Sequence, residues 1–199
     1  MIRLAIIMLF SFASLAAQAQ TQVQGKVFGD IAAVGNDGPS GSDFDESLRF
    51  SGGFLLSLSP NVALEAGLSQ STETEDSQTD NTGSYSIKIR SGDVFGGLRI
   101  ESNPVGKLTF FGRGGVLYYY SEIDFEESFF DIKPGGDLTE IEEGTGYYLG
   151  AGVGLPLNPR LNITGEITYR KRDEYFEGAD AEFDMKELGA AVGVVFRAF

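Results

Sequence analysis

The sequence of 199 residues contains no cysteine, no histidine and no tryptophan, and it has few basic residues. Without cysteine there is no disulfide, no thiol nucleophile and no lipid-modified N-terminal cysteine. Without histidine, enzymes that need a histidine general base are excluded, and the two absences together argue against a zinc site. The 29 acidic residues outnumber the 15 basic ones, which gives a formal net charge of −14. Because nucleic-acid binding needs a basic surface, we expect no such partner, and we expect neither a cofactor nor a resident metal.

Long apolar runs are also missing, except for one at the N-terminus. Residues 1–19 combine the basic Arg3, an apolar stretch over residues 4–15 and the small-residue sequence Ala17-Gln18-Ala19. This pattern is typical of a secretory signal peptide with its cleavage site. The apolar stretch is shorter than the roughly 20 residues of a membrane-spanning helix. We therefore predict a signal peptide over residues 1–19 and an exported domain over residues 20–199.

The exported domain shows apolar residues at every second position, which is typical of β-strands with two different faces. In the fourth strand the apolar phase shifts by one residue at Ser91-Gly92, and this shift predicts a β-bulge. Eight segments show the alternation: residues 22–34, 47–58, 62–70, 85–100, 108–120, 145–157, 161–172 and 187–199.

The connections between these segments alternate between short and long. The three short ones contain proline and asparagine, which favour tight turns. The four long ones are polar and acidic, at residues 35–46, 71–84, 122–144 and 171–186. An even number of strands with this alternation puts all tight turns at one end and all long loops at the other. The pattern predicts an all-β fold, an eight-stranded antiparallel up-and-down barrel.

The polar faces of the strands carry charged residues and many glycines. These faces could point outward into solvent, as in a secreted lipocalin-like barrel, or inward into a crowded barrel interior. Glycine favours the interior of a barrel of eight strands. Five tyrosines fall on the apolar face at the long-loop end, where we predict an aromatic girdle at a membrane interface. These are Tyr85, Tyr118, Tyr120, Tyr147 and Tyr169. The sequence therefore predicts a transmembrane barrel whose apolar face contacts lipid.

In this orientation the charged residues of the polar faces enclose a lumen. The polar faces carry Lys26, Asp30, Arg49, Glu65, Lys88, Arg90, Asp93, Arg99, Arg113, Glu166, Arg170, Glu187 and Arg197. Our candidate lumen charge network consists of Lys26, Asp30, Arg49, Glu65, Arg99, Arg113, Glu166, Glu187 and Arg197. Unpaired buried charges are costly, so we expect ion pairs between its arginines and glutamates, which the sequence does not assign individually.

The lumen has two interpretations. It is either a structural core of ion pairs or a narrow porin-like channel. An eight-stranded barrel is just wide enough for side chains to fill it. The sixth strand carries a row of glycines on its inner face, and we expect this row to make room for bulky residues of the fifth strand. That bulky row consists of Phe111, Arg113, Leu117 and Tyr119.

The signal peptide, eight strands, short proline- and asparagine-containing turns, long outer loops and the final strand VGVVFRAF resemble the small outer-membrane β-barrels of the OmpX/Ail type and the transmembrane domain of the OmpA type. The resemblance implies a monomer in the outer membrane of a Gram-negative bacterium, among outer-membrane lipid and lipopolysaccharide. It also implies that the barrel-assembly machinery reads a C-terminal aromatic residue, here Phe199. Because Phe199 is out of phase with the outward row of its strand, Phe196 is the alternative. Enzymes among such barrels use histidine, so we expect a protein without enzymatic activity.

The four long loops hold 23 of the 29 acidic residues. This distribution has two interpretations: a contact surface that binds a surface ligand or divalent cations, or a solvated acidic rim. The longest loop, residues 122–144, alternates acidic with apolar residues and carries three phenylalanines. We expect it to be the main contact element and to be dispensable for the barrel.

Overall fold

The structure is a computed structural model that describes residues 24–37, 43–79, 83–129, 137–175 and 183–198. The predicted signal peptide and Phe199 lie outside these residues. In the part that is described, no helix is long and apolar enough to cross a membrane. The strands are β1 (Gly25–Asp37), β2 (Asp43–Ser59), β3 (Val62–Ser71), β4 (Thr74–Thr79), β5 (Gly83–Glu101), β6 (Thr109–Phe129), β7 (Asp137–Asn158), β8 (Leu161–Tyr175) and β9 (Phe183–Arg197).

The strands form one closed antiparallel sheet. Consecutive strands pair with each other except β3 and β4, which both pair with β5; β1 pairs with β9, and the direct β3–β5 pairing completes the ring. The short strand β4 continues the line of β3 along the same neighbour, β5. Eight strands therefore surround the lumen, which confirms the predicted eight-stranded antiparallel barrel.

The predicted β-bulge at Ser91-Gly92 is wrong. β5 pairs with β6 along its whole length without a register shift. The irregularity lies on the other side of β5, where Gln70 pairs with Gly92 and Thr74 pairs with Ile89. Thr74 is four residues after Gln70, whereas Ile89 is only three residues before Gly92. The extra residue thus belongs to the junction between β3 and β4.

The shift of the apolar phase in β5 has a different cause from a bulge. Ile89 is buried and Ile87 packs against the buried core, so both side chains face the inside of the barrel. Farther along the strand Val94 and Leu98 are exposed and face outward. The strand keeps its register, and the side on which its apolar residues lie changes between the loop end and the rest of the barrel.

The strands are longer at the loop end than the sequence indicated. Much of the predicted loop 122–144 is strand, because β6 continues to Phe129, β7 begins at Asp137, and the two pair as far as Glu126 and Asp137. The predicted loop 71–84 likewise contains β4. Polar, acidic composition suggested loops here, but the ladder hydrogen bonds continue beyond the apolar segments.

The three tight turns lie together at the opposite end. Asn158 caps one of them by accepting hydrogen bonds from the backbone N–H groups of Arg160 and Leu161, at 2.9 and 3.0 Å. The β5–β6 turn needs a positive φ, which Gly106 adopts at 65°. Short turns leave little chain at this end, so the barrel is open to long connections only at the loop end.

Buried and exposed residues alternate along the strands, as a barrel with two different faces requires. The outward face carries a belt of exposed apolar side chains, which include Val27, Phe50, Leu68, Leu98, Phe110, Leu149, Ile167 and Val192. The inner face is not exclusively polar. A buried apolar cluster shares it with the charged residues and includes Phe28, Leu55, Phe95, Leu117, Tyr148 and Val195.

Candidate functional site

Among the described residues, six basic and six acidic side chains lie in the lumen, so their formal charges balance. The six acidic ones are all the carboxylates of the sequence that lie outside the four predicted loops. Arg170, Arg172, Asp93 and Glu101 join residues of the predicted network here. The basic set is Lys26, Arg49, Arg99, Arg113, Arg170 and Arg172, and the acidic set is Asp30, Glu65, Asp93, Glu101, Glu166 and Glu187.

Arg113 of β6 lies at the centre of the lumen between two glutamates. Its Nη1 donates to Glu65 Oε1 at 3.0 Å and its Nε donates to Glu166 Oε1 at 2.7 Å. The hydroxyl of Tyr148 donates to the same Glu65 oxygen at 3.0 Å. The guanidinium also lies about 6 Å from the ring of Phe95. These groups come from five strands and fill the cross-section of the barrel.

A second group of charges lies toward the loop end and is built around Asp93. Arg172 donates to both Asp93 oxygens, at 2.9 and 3.0 Å, and Arg170 also pairs with Asp93. Glu187 pairs with Arg172 and with Arg49. All five of these side chains are at most 2% exposed. Three arginines share two carboxylates, so this group carries one positive charge in excess.

A third, smaller group closes the turn end. Glu101 accepts a hydrogen bond from Lys26 at 3.1 Å and one from Arg99 Nε at 3.0 Å. The Arg99 guanidinium stacks over the ring of Phe111, 3.6 Å from its centroid. The three groups together place charges along the whole lumen.

Glycines face the bulkiest side chains of the lumen across the strand pairs. A Cβ on Gly144 would lie 2.6 Å from the Tyr119 hydroxyl, and one on Gly152 would lie 2.5 Å from the Phe111 ring. A Cβ on Gly150 would lie 3.2 Å from Arg113. The expectation that glycines of β7 make room for bulky residues of β6 holds for Gly150 and Gly152, whereas a Cβ on Gly146 would meet the backbone of β8.

Arg197 is displaced from the predicted network. It is exposed at the rim of the turn end, because β9 ends there and no lumen remains to bury it. Lys88 and Arg90, on the predicted polar face, lie on the outside of the loop end, where they are 27% and 51% exposed. The remaining members of the network lie in the lumen; Asp30 is half-buried among them and Oδ1 of its carboxylate is buried.

Several residues of the lumen were not predicted from the sequence. Asp93 and Arg170 were on the predicted polar face but were not selected, and Arg172 was assigned to the stem of a loop. Tyr148 lies on a strand face with glycines on either side, at Gly146 and Gly150. The alternation could have identified Arg172, because it lies two residues after Arg170 in β8 and therefore on the same face of the strand.

Four of the predicted girdle tyrosines lie on the outward face at the loop end of the belt. Tyr118, Tyr120 and Tyr147 are exposed, and the rings of Tyr147 and Tyr169 are 6.1 Å apart. The side chain of Tyr85 lies outside the described residues. Its predicted row included Ile87 and Ile89, which face inward, so the reason for placing Tyr85 in the girdle is wrong.

Beyond the tyrosines, four strands continue as a sheet that we call the loop-end extension. It consists of β4 and of residues 83–91 of β5, 121–129 of β6 and 137–145 of β7. On its inner side Ile89 and Ile123 are buried together with Met185 of β9, and the buried hydroxyls of Ser91 and Ser121 are hydrogen-bonded to each other at 2.7 Å. Its outer side carries ion pairs, Lys88 with Glu126 at 3.0 Å and Arg90 with Glu73 at 3.2 Å.

The outer side of the loop-end extension keeps an acidic surplus after these pairs form. Asp124 accepts a hydrogen bond from Thr139 at 2.6 Å, and Glu143 accepts one from Tyr118. The hydrogen bond with Glu126 raises the pKa of Lys88 above its usual value, because it stabilises the ammonium form. In the part of the chain that the structure describes, no three acidic residues are grouped closely enough to hold a metal ion.

Three solved structures resemble this one in fold. OprG from Pseudomonas aeruginosa is 11% identical, with a TM-score of 0.54 over 88% of this chain and 95% of its own. Neisserial surface protein A is 11% identical, with a TM-score of 0.53 over 87% and 96%. The attachment invasion locus protein Ail of Yersinia pestis is 13% identical, with a TM-score of 0.51 over 88% and 100%. No curated protein matches the sequence.

The family model described as "Outer membrane protein beta-barrel domain" matches residues 4–196. The chain therefore belongs to this family, and its location is the outer membrane. The apolar belt that the structure places on the outside of the barrel is the surface that contacts lipid there.

Proposed function

We propose that this member of the outer membrane protein beta-barrel family is a closed barrel without enzymatic activity, and that it acts through contacts made by its loop-end extension. The observation that carries the proposal is a contrast between the two parts. The lumen is filled by paired charges and rings, whereas the loop-end extension presents an ordered, acidic sheet to the outside.

The filled lumen supports a structural interpretation over a channel. Glu65, Arg113 and Tyr148 join three strands across the centre and are buried. Breaking one partner out of such a group leaves an uncompensated charge, so opening a path through it is costly. The balance of six basic and six acidic side chains also leaves no single sign of charge to select an ion.

A narrow porin-like channel is the second candidate, and one observation favours it. Several buried nitrogens of Arg49, Arg113 and Arg170 have no hydrogen-bond partner among the described residues. Buried polar atoms of this kind are commonly paired with water, and water is what a conducting path needs.

Conductance across a planar bilayer separates the two candidates. We expect the purified barrel to give no stable openings at neutral pH. Openings that disappear in Arg113→Ala or Glu166→Ala would instead establish the channel. Heat-modifiable mobility on gels serves as the control that each variant is a folded barrel.

The outer side of the loop-end extension supports a cationic class of partner. Glu122 and Asp124 follow the exposed Tyr120 along β6, and Glu143 of β7 lies directly across from Tyr120. The exposed Ile141 lies directly across from Glu122. Acidic residues around an exposed apolar side chain suit a basic amphipathic ligand, or divalent cations that bridge to other anions. A solved structure of Ail holds a heparin analogue, which is an anion. The acidic outer side of the extension in this chain suits the opposite charge class.

Binding of a model polycation tests this role. We expect polylysine to bind the barrel in nanodiscs and salt to weaken the binding. A variant in which residues 125–138 are replaced by an Asn-Gly turn shortens β6 and β7 at the paired residues Asp124 and Thr139. It should assemble and lose most of the binding, whereas unchanged binding would leave the extension as a solvated rim.

A further inference from the structure

The turn end differs from the rest of this acidic chain. All 29 acidic residues lie in the four predicted loops or in the lumen, and none of the described residues at the exposed rim of the turn end is acidic. It does have three exposed basic residues, Lys107, Arg160 and Arg197. None of the three has an ion-pair partner among the described residues. Glu101, the carboxylate of the third lumen group at this end, is already held by Lys26 and Arg99.

Two of these basic residues are brought together by the closing of the sheet. The backbone N–H of Arg197 donates to the backbone carbonyl of Arg160 at 2.8 Å. Arg160 lies in the tight turn between β7 and β8, and Arg197 ends β9, which pairs with β8. Residues 37 positions apart in the sequence thus form one exposed pair of arginines at the rim.

The outward face of the two strand ends is apolar, whereas Arg197, which pairs with Lys26, continues the inner face of β9 and is exposed because the strand ends there. Phe196 is 45% exposed and Leu157 is 55% exposed, and Ile163 and Val194 are exposed farther along the same strands. Charged guanidinium groups beside exposed apolar side chains match the two parts of a phospholipid, with the phosphate next to the acyl chains. A soluble polyanion would use the arginines and leave the apolar neighbours without a role.

We propose that Arg160 and Arg197 bind the phosphate of an anionic phospholipid in the leaflet that surrounds the turn end. The guanidinium fork suits a phosphate because two parallel N–H groups reach two of its oxygens. Each basic residue near a membrane surface contributes about a fivefold gain in affinity for anionic lipid, so the pair contributes about thirtyfold. This site lies at the opposite end from the proposed contact surface and does not depend on it.

The test is native mass spectrometry of the barrel released from nanodiscs of phosphatidylcholine with a minor fraction of phosphatidylglycerol. We expect wild type to retain phosphatidylglycerol in preference to phosphatidylcholine. The variant Arg160→Gln/Arg197→Gln should lose most of the preference, by up to about thirtyfold. The variant Arg90→Gln/Lys186→Gln removes the same two charges from the loop end and should keep the preference.

Three results would overturn the proposal. The first is an unchanged preference in the Arg160→Gln/Arg197→Gln variant, and the second is an equal loss in the loop-end control. The third is binding of purified peptidoglycan, rather than phosphatidylglycerol, that depends on the two arginines. If the glutamine variant fails to show heat-modifiable mobility, photoactivatable phosphatidylglycerol is applied to wild type, and cross-links must fall within residues 155–163 or 192–197.

Discussion

The barrel within the membrane belt and the loop-end extension are built from the same strands, but their apolar residues lie on opposite faces of these strands. In β7, Leu149 lies on the outside of the belt and Tyr148 lies in the lumen, so apolar surface contacts lipid. In β5 beyond the girdle, Ile89 faces inward while Lys88 and Arg90 face outward, as in a water-soluble sheet. The surroundings of the strand change from lipid to water while its register does not change. An apolar phase shift along a strand therefore marks a change of solvent as readily as it marks a bulge.

The same comparison applies to charges. The ion pairs of Arg113 in the lumen involve side chains that are at most 8% exposed, whereas Glu73 and Glu126 on the outside are 43% and 54% exposed. Water screens the outer pairs, so their contribution to stability is small. A buried charge that loses its partner has no such compensation. Removing one partner of a buried pair should therefore cost more stability than removing one partner of an outer pair.

The largest expected effect comes from the centre of the lumen. Arg113→Met should lower the free energy of unfolding by about 3–5 kcal/mol, because Glu65 and Glu166 lose their partner. Urea unfolding followed by heat-modifiable mobility measures it. The triple variant with Glu65→Gln and Glu166→Gln removes the stranded charges and should recover much of the loss. A single variant as stable as wild type would contradict the view that the ion pairs support the barrel.

A charge on the outward face distinguishes the belt from the extension. Leu149→Lys puts a cation against lipid and should cost about 2–4 kcal/mol if the site lies near the midplane of the bilayer. Ile141→Lys places the same cation on the same face of β7, eight residues away and beyond the girdle, and should change stability by no more than about 0.5 kcal/mol. The two residues are similarly exposed, at 56% and 60%, so exposure alone predicts equal effects. Equal losses in unfolding experiments would show that the belt ends elsewhere.

The next effect concerns packing where the barrel meets the extension. Gly144→Ala would bring a Cβ against the ring and hydroxyl of Tyr119, and we expect a loss of about 1–3 kcal/mol from overpacking. Tyr119 also donates a hydrogen bond to the backbone carbonyl of Asp173 at 2.7 Å, so Tyr119→Leu costs stability by itself. In a double-mutant cycle the two changes should cost less together than the sum of their separate effects. Strict additivity would mean that Gly144 is not needed to accommodate this side chain.

The smallest effect is a titration on the outer side of the extension. Because Glu126 raises the pKa of Lys88 above 10.5, the ammonium form stabilises this contact below pH 10.5. The contact is lost as the pH rises through the pKa of the folded protein. NMR titration of Lys88 should give a midpoint above 10.5, and Glu126→Gln should lower it. A midpoint that Glu126→Gln leaves in place would exclude this contact as the cause.

Much of the site could be predicted from the sequence, because the alternation of apolar and polar residues assigns each residue to one face of its strand. Arg49, Glu65, Arg113, Glu166 and Glu187 were placed in the lumen by this argument, and the structure positions them there. The alternation does not predict where a strand ends, however. Arg197 is on the same face of β9 as Glu187 but lies beyond the lumen. The alternation also does not predict which charged residues form ion pairs, since this depends on the stagger between strands that are not neighbours in the chain.

The sequence by itself determined that the chain is an antiparallel barrel with tight turns at one end, because the period of two and the turn residues are local properties. It also determined which end is acidic. Only the tertiary structure decided which carboxylate holds Arg113, where the strands end, and that Arg160 and Arg197 are neighbours. These facts depend on how β9 closes against β1 and β8, and closure fixes distances between residues whose separation in sequence carries no information about them.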